Sequence, residues 1–85
     1  MNAHNLKVNT DLFQAITQKG KRAMRVAIAQ NIGVGDRIKL YEVSSMGYTG
    51  KCSDVFSIVN VSKSGYPPLS AWECIISFET VIGRV

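Results

Sequence analysis

From Arg22 onward the chain changes character at every second residue, and this alternation constrains the fold more than any other feature. Successive side chains of a β-strand point to opposite faces of a sheet. Met24, Val26 and Ile28 then share one side, with Arg25, Ala27 and Ala29 on the other. Ile38 and Leu40 alternate in the same way with Arg37, Lys39 and Tyr41. The cleanest run is Trp72, Cys74, Ile76 and Phe78 against Glu73, Ile75, Ser77 and Glu79, which predicts a last strand with Trp72 in the core. Residues 52–61 depart from the pattern, because Val55, Phe56, Ile58, Val59 and Val61 fall on both faces, as expected of a central strand covered on both sides.

Glycine and proline separate these runs. Gly33-Val34-Gly35-Asp36 is predicted to turn, with Asp36 bonding its own backbone, and Gly47-Tyr48-Thr49-Gly50 to form a loop. The segment 62–69, with Gly65 and Pro67-Pro68, cannot continue a ladder. Ahead of them, Leu6-Lys7-Val8 reads as a short strand. Asn9, Thr10 and Asp11 then supply side chains that accept the first free N–H groups of a helix. Leu12, Phe13 and Ile16 form its apolar stripe, and Lys19-Gly20 suits its C-terminal end. A strand, a helix of about two turns and four further strands make an α+β, mostly-β chain. The expected architecture is an antiparallel β-barrel of about five strands with one short N-terminal helix plugging an opening, since closure removes vulnerable sheet edges.

An 85-residue chain holds one core, so residues 1–85 are read as a single domain, with the core over about 4–79. Hydrophobic residues at 46% and charged residues at 19% place it among globular chains and exclude disorder. The net charge of +4 favours a polyanionic partner. Cys52 and Cys74, with His4 the only histidine, offer no metal-ligand spacing, so no metal and no cofactor are expected and both thiols are read as free and buried. The N-terminus lacks the pattern of a signal peptide and no stretch approaches a membrane span, which predicts a soluble, cytoplasmic protein.

His4-x-Leu6-Lys7, a helix carrying Phe13, Gly20-Lys21-Arg22, Val34-Gly35-Asp36-x-Ile38-x-Leu40-x-Glu42 and Tyr48-Thr49-Gly50 follow one another with matching spacing from residue 4 to about 79. In this order they resemble the DUF3850 family, small ASCH domains with a PUA-like barrel that are frequent in phage and mobile-element genomes. The resemblance implies that fold, together with an association with RNA. The wider ASCH group also includes amidohydrolases acting on N4-acetylcytidine, whose Gly-x-Lys-Thr-x-Thr-x-Arg motif pairs a lysine with a threonine. Here that stretch reads Gly20-Lys21-Arg22-Ala23-Met24-Arg25-Val26-Ala27, so Arg22 stands at the lysine and Arg25 at the second threonine. Arginine stays protonated at neutral pH and the hydroxyl is gone, which argues against that hydrolysis. Nearer relatives usually carry Gly-Lys-Lys-Thr-Phe-Glu-Ile-Arg, and the chain departs from these as well.

Three functions are carried forward. The first is a non-catalytic RNA-binding domain that uses Lys21, Arg22, Arg25, Arg37 and Lys39 against phosphates. Tyr41, on the same predicted face as Arg37 and Lys39, would stack on a base, with Tyr48 and Tyr66 as further aromatic candidates. The second is a small hydrolase of a modified nucleoside. The third is a phage-type module that engages a host protein through residues 44–50 and 62–70. Glu42 and Glu79 are carboxylates on strands without a paired base or hydroxyl in the sequence, and no phosphate loop or Ser/His/Asp constellation is present.

Overall fold

The computed structural model describes residues 2–27, 31–63 and 69–81. Its elements are β1 (Ala3–Asn9), α1 (Thr10–Thr17), β2 (Ala23–Ala27), β3 (Arg37–Ser44), β4 (Gly47–Cys52), β5 (Phe56–Ser62) and β6 (Glu73–Thr80). Among the described residues the chain is thus mostly β with one short helix, as the alternation predicts, but they form six strands where about five were expected. The extra one is β4, the segment read as a loop. Gly47 takes a φ of 105°, a conformation that suits glycine, and lets the chain reverse after Ser45-Met46. Tyr48 then pairs with Val43 and Cys52 with Tyr41, across a register shift.

The hydrogen-bonded order is β1-β3-β5-β6-β2, with β4 on β3. Most pairs are antiparallel, but β1 runs parallel to β3, contrary to the all-antiparallel expectation. A parallel partner needs a crossover, and α1 and β2 lie within the connection that supplies it. The ladder is not closed into a barrel: β1 and β2 end the path, and among the described residues no backbone hydrogen bond joins them. Five strands laid flat would hold these ends about 19 Å apart, at roughly 4.8 Å per step. Instead Asn5, Leu6 and Lys7 of β1 share one cleft of about 410 Å³ with Met24, Arg25, Val26 and Ala27 of β2. The sheet therefore coils until its two edges face each other across a seam.

Inside lie Leu6 and Val8 of β1, Met24 and Val26 of β2, Ile38 and Leu40 of β3, Phe56 and Ile58 of β5, and Cys74, Ile76 and Phe78 of β6. Phe13 and Ile16 of α1 complete this core, with Leu12 against its margin. The helix starts where predicted: Asn9 is the N-cap, and its Oδ1 accepts the Leu12 N–H at 2.8 Å. Gly20 supplies the left-handed residue after its end.

Four readings need correction. Trp72 is 68% exposed, because it precedes β6 in a turn and the alternation does not extend back to it. Residues 52–61 are not one strand: Cys52 ends β4 and β5 begins at Phe56. Although β5 is central in the order, Val59 within it and Val55 just before it are exposed, so only one of its faces is covered. Cys52 is free but exposed, whereas Cys74 is free and buried as expected. Ile28, Ala29, Gly65, Tyr66 and Pro67-Pro68 lie outside the described residues.

Candidate nucleic-acid interface

The register of β1 on β3 builds the site. Asn5 lies opposite Lys39 and Lys7 opposite Tyr41, while Leu6 and Leu40 between them are buried. Asn5, Lys7, Lys39 and Tyr41 therefore share the outer face of the sheet. On the far side of β3, β4 adds Tyr48, Gly50, Lys51 and Cys52, which together with Asn5 and Tyr41 line a shallow pocket. Lys7 Nζ lies 5.5 Å from the Tyr48 ring centroid, and Lys39 Nζ lies 5.9 Å from that of Tyr41. Each cation–ring contact at an exposed site contributes about 0.5–1 kcal/mol, weak enough to yield to a phosphate. Among the described residues, neither the pocket lining nor the seam cleft contains a carboxylate.

Coiling of the sheet decides which cations of the sequence meet here. Arg25, on the outer face of β2, lines the seam cleft with Asn5 and Lys7, while Asn5 also borders the tyrosine pocket. Arg25 and Lys39 thus belong to one continuous surface that runs β2, β1, β3, β4. Arg25 is also held by Glu73, 3.6 Å away on the paired strand. Lys21 is exposed and borders a smaller pocket with Arg25 and Ile75.

Two arginines are placed otherwise. Arg22 turns its guanidinium to the C-terminal end of α1, donating to Ile16 O at 2.7 Å and to Lys21 O at 2.9 Å, and it lies 5.0 Å from the ring centroid of the buried Phe56. Its charge answers the negative helix end. Arg37 is half-buried at the start of β3, and its Nε is enclosed without a hydrogen-bond partner among the described residues.

Lys7, Lys51 and Asn5 belong to the surface but were not among the sequence candidates. The signal for Lys7 and Asn5 was present in the alternation with Leu6 and Val8, yet the parallel pairing that brings them beside Lys39 and Tyr41 has no local signature. Lys51 was hidden because β4 was not read as a strand.

Two carboxylates are fixed inside the fold. Asp36, buried just before β3, accepts the Asn2 N–H at 3.0 Å and the Gly33 N–H at 3.0 Å, and its Oδ2 is 2.9 Å from His4 Nε2. The turn role expected of Asp36 is present and extends further, tying the first strand to the third. The Asn2 N–H above all, then His4 and the Gly33 N–H, hold this carboxyl well below the usual carboxylate range. Glu42 is buried on the inner face of β3 and accepts the Thr49 hydroxyl at 2.5 Å. It is therefore not a lone carboxylate, because β4 brings it a partner.

At the amidohydrolase motif positions, Arg22 is held by backbone carbonyls, Ala23 carries no hydroxyl, Arg25 faces Glu73 and Ala27 carries no guanidinium. Among the described residues no cluster of His, Cys, Asp and Glu is suited to hold a metal ion. Among the same residues no helix is long and apolar enough to cross a membrane. No family model matches the chain, and no curated protein matches it significantly.

Proposed function

We propose that this chain is a non-catalytic RNA-binding module related to the PUA-like ASCH domains of the DUF3850 family, and that it takes single-stranded RNA on the outer face of β1, β3 and β4. One observation carries the reading: Tyr41 and Tyr48 border a shallow pocket on a face where Lys7, Lys39 and Lys51 supply charge and none of the described lining residues is a carboxylate. Unpaired bases stack on exposed aromatic rings, while lysines beside those rings neutralise the connecting phosphates. The tyrosines favour single strands, because a duplex keeps the faces of its bases stacked inside.

Fluorescence anisotropy with a short labelled single-stranded RNA over a salt series tests this. With three or four phosphate contacts, the log–log slope of affinity against salt is expected at roughly −2 to −3, taking about 0.7 per contact on a single strand. Tyr41→Ala and Tyr48→Ala should each lower affinity by about 1–3 kcal/mol per lost stack. A flat salt response, or binding unchanged in both variants, overturns the reading.

A further inference from the structure

We infer that Asn5 is the base-reading residue of this surface, placed between two unpaired nucleotides that occupy the seam cleft on one side of β1 and the tyrosine pocket on the other. The inference rests on the RNA-binding reading above and adds to it a specificity determinant.

Asn5 lines both concavities, so a strand passing from one to the other must cross it. It is exposed on the outer face of β1, and among the described residues its amide has no hydrogen-bond partner. One acceptor oxygen and two N–H donors are therefore free to face a ligand.

The other side chains here are weaker readers of adenine, cytosine and uracil. Lys7, Lys39, Lys51 and Arg25 attract phosphate, which is the same in every nucleotide, and the base edge such cations favour is that of guanine. Tyr41 and Tyr48 offer ring faces, on which every base stacks. Gly50 and Cys52 carry no donor–acceptor pair of that strength. An amide presents a donor beside an acceptor, the arrangement that matches the donor and acceptor of a base edge such as adenine N6 and N7. Discrimination among these three bases therefore falls chiefly on Asn5.

The test measures affinities of the full chain for labelled oligoadenylate, oligocytidylate and oligouridylate, each over a salt series. The unaltered protein should rank the three RNAs with at least about fivefold between best and worst, the lower limit for one good amide–base pair. Asn5→Ala should collapse that ratio toward one while leaving the salt slope unchanged. Asn5→Asp, an acceptor only, should weaken all three and shift the preference toward cytidine over uridine, because a carboxylate accepts from the cytosine amine and is repelled by the uracil O4 acceptor. A dinucleotide should perturb backbone NMR signals of both Val26 and Tyr48, where a mononucleotide perturbs those of one side. Equal affinities in the unaltered protein, or ratios unchanged by Asn5→Ala, overturn the role of Asn5 while salt-dependent binding leaves the RNA reading standing. Failure to bind any of the three removes both.

Discussion

At the scale of single residues, the two buried carboxylates make different predictions. The folded Asp36 carboxyl lies below its ordinary range, so its ionised form stabilises the native state. That stabilisation is complete above the unfolded value of about 4 and is lost as pH falls toward the lower folded value. Asp36→Asn should therefore melt at a lower temperature than the unaltered chain at neutral pH, and the gap should narrow in acid. Thermal unfolding followed by circular dichroism between neutrality and pH of about 2 measures it, and a gap that widens in acid contradicts the sign. Glu42 depends on a single hydroxyl, that of Thr49, among its described side-chain partners. Thr49→Val keeps the shape and removes the donor, leaving a buried acceptor unsatisfied at a cost of about 1–3 kcal/mol, whereas Thr49→Ser should retain most of the stability. Urea unfolding of the two variants separates loss of the bond from loss of the methyl group.

Among the elements, the helix was the most legible and β4 the least, for physical reasons. Asn9 caps α1 through a contact three residues long, so its chemistry is written locally in Asn9-Thr10-Asp11. Asn9→Ala should cost about 1 kcal/mol and Asn9→Gly only a few tenths, as read by denaturant midpoints at constant slope. Strand β4 contains Gly47 and Gly50, both at positive φ, and its pairing with β3 shifts register, so neither composition nor alternation betrays a strand. The core faces of β2, β3 and β6 followed from period two because each has one covered side. The alternation failed at Trp72, where the strand has not yet begun, and at Val59, where β5 shifts register on β6 and Val61 turns toward the core instead. The parallel pairing of β1 was invisible for a different reason: it is a contact between segments more than thirty residues apart, fixed by tertiary packing rather than by any local preference. The candidate site inherits these limits. Lys39, Tyr41 and Arg25 were legible as outward residues, whereas their connection through Asn5 and Lys7 required the coiled sheet.

For the whole molecule, the distinction that matters is between charge counted along the chain and charge presented on one face. The net charge of +4 is the balance of ten Lys and Arg against six Asp and Glu, but a partner senses those cations whose head groups reach its phosphates. Lys39 stands on the outer face beside Tyr41, while the Arg22 guanidinium is committed to the Ile16 and Lys21 carbonyls and to the Phe56 ring. Substituting glutamine at either position removes one unit of charge, so long-range attraction falls equally in both variants. Their local consequences should diverge. Lys39→Gln is expected to make the salt slope of RNA affinity shallower by roughly 0.7, the loss of one phosphate contact, with stability within about 0.5 kcal/mol of the unaltered chain. Arg22→Gln should leave the slope in place and lower stability by about 1–3 kcal/mol, because helix-end carbonyls lose a charged donor. Paired salt titrations and urea unfolding curves on the two proteins decide the matter. A shallower slope in Arg22→Gln with unchanged stability would place the RNA path along the α1–β2 connection instead of the β1–β3–β4 face.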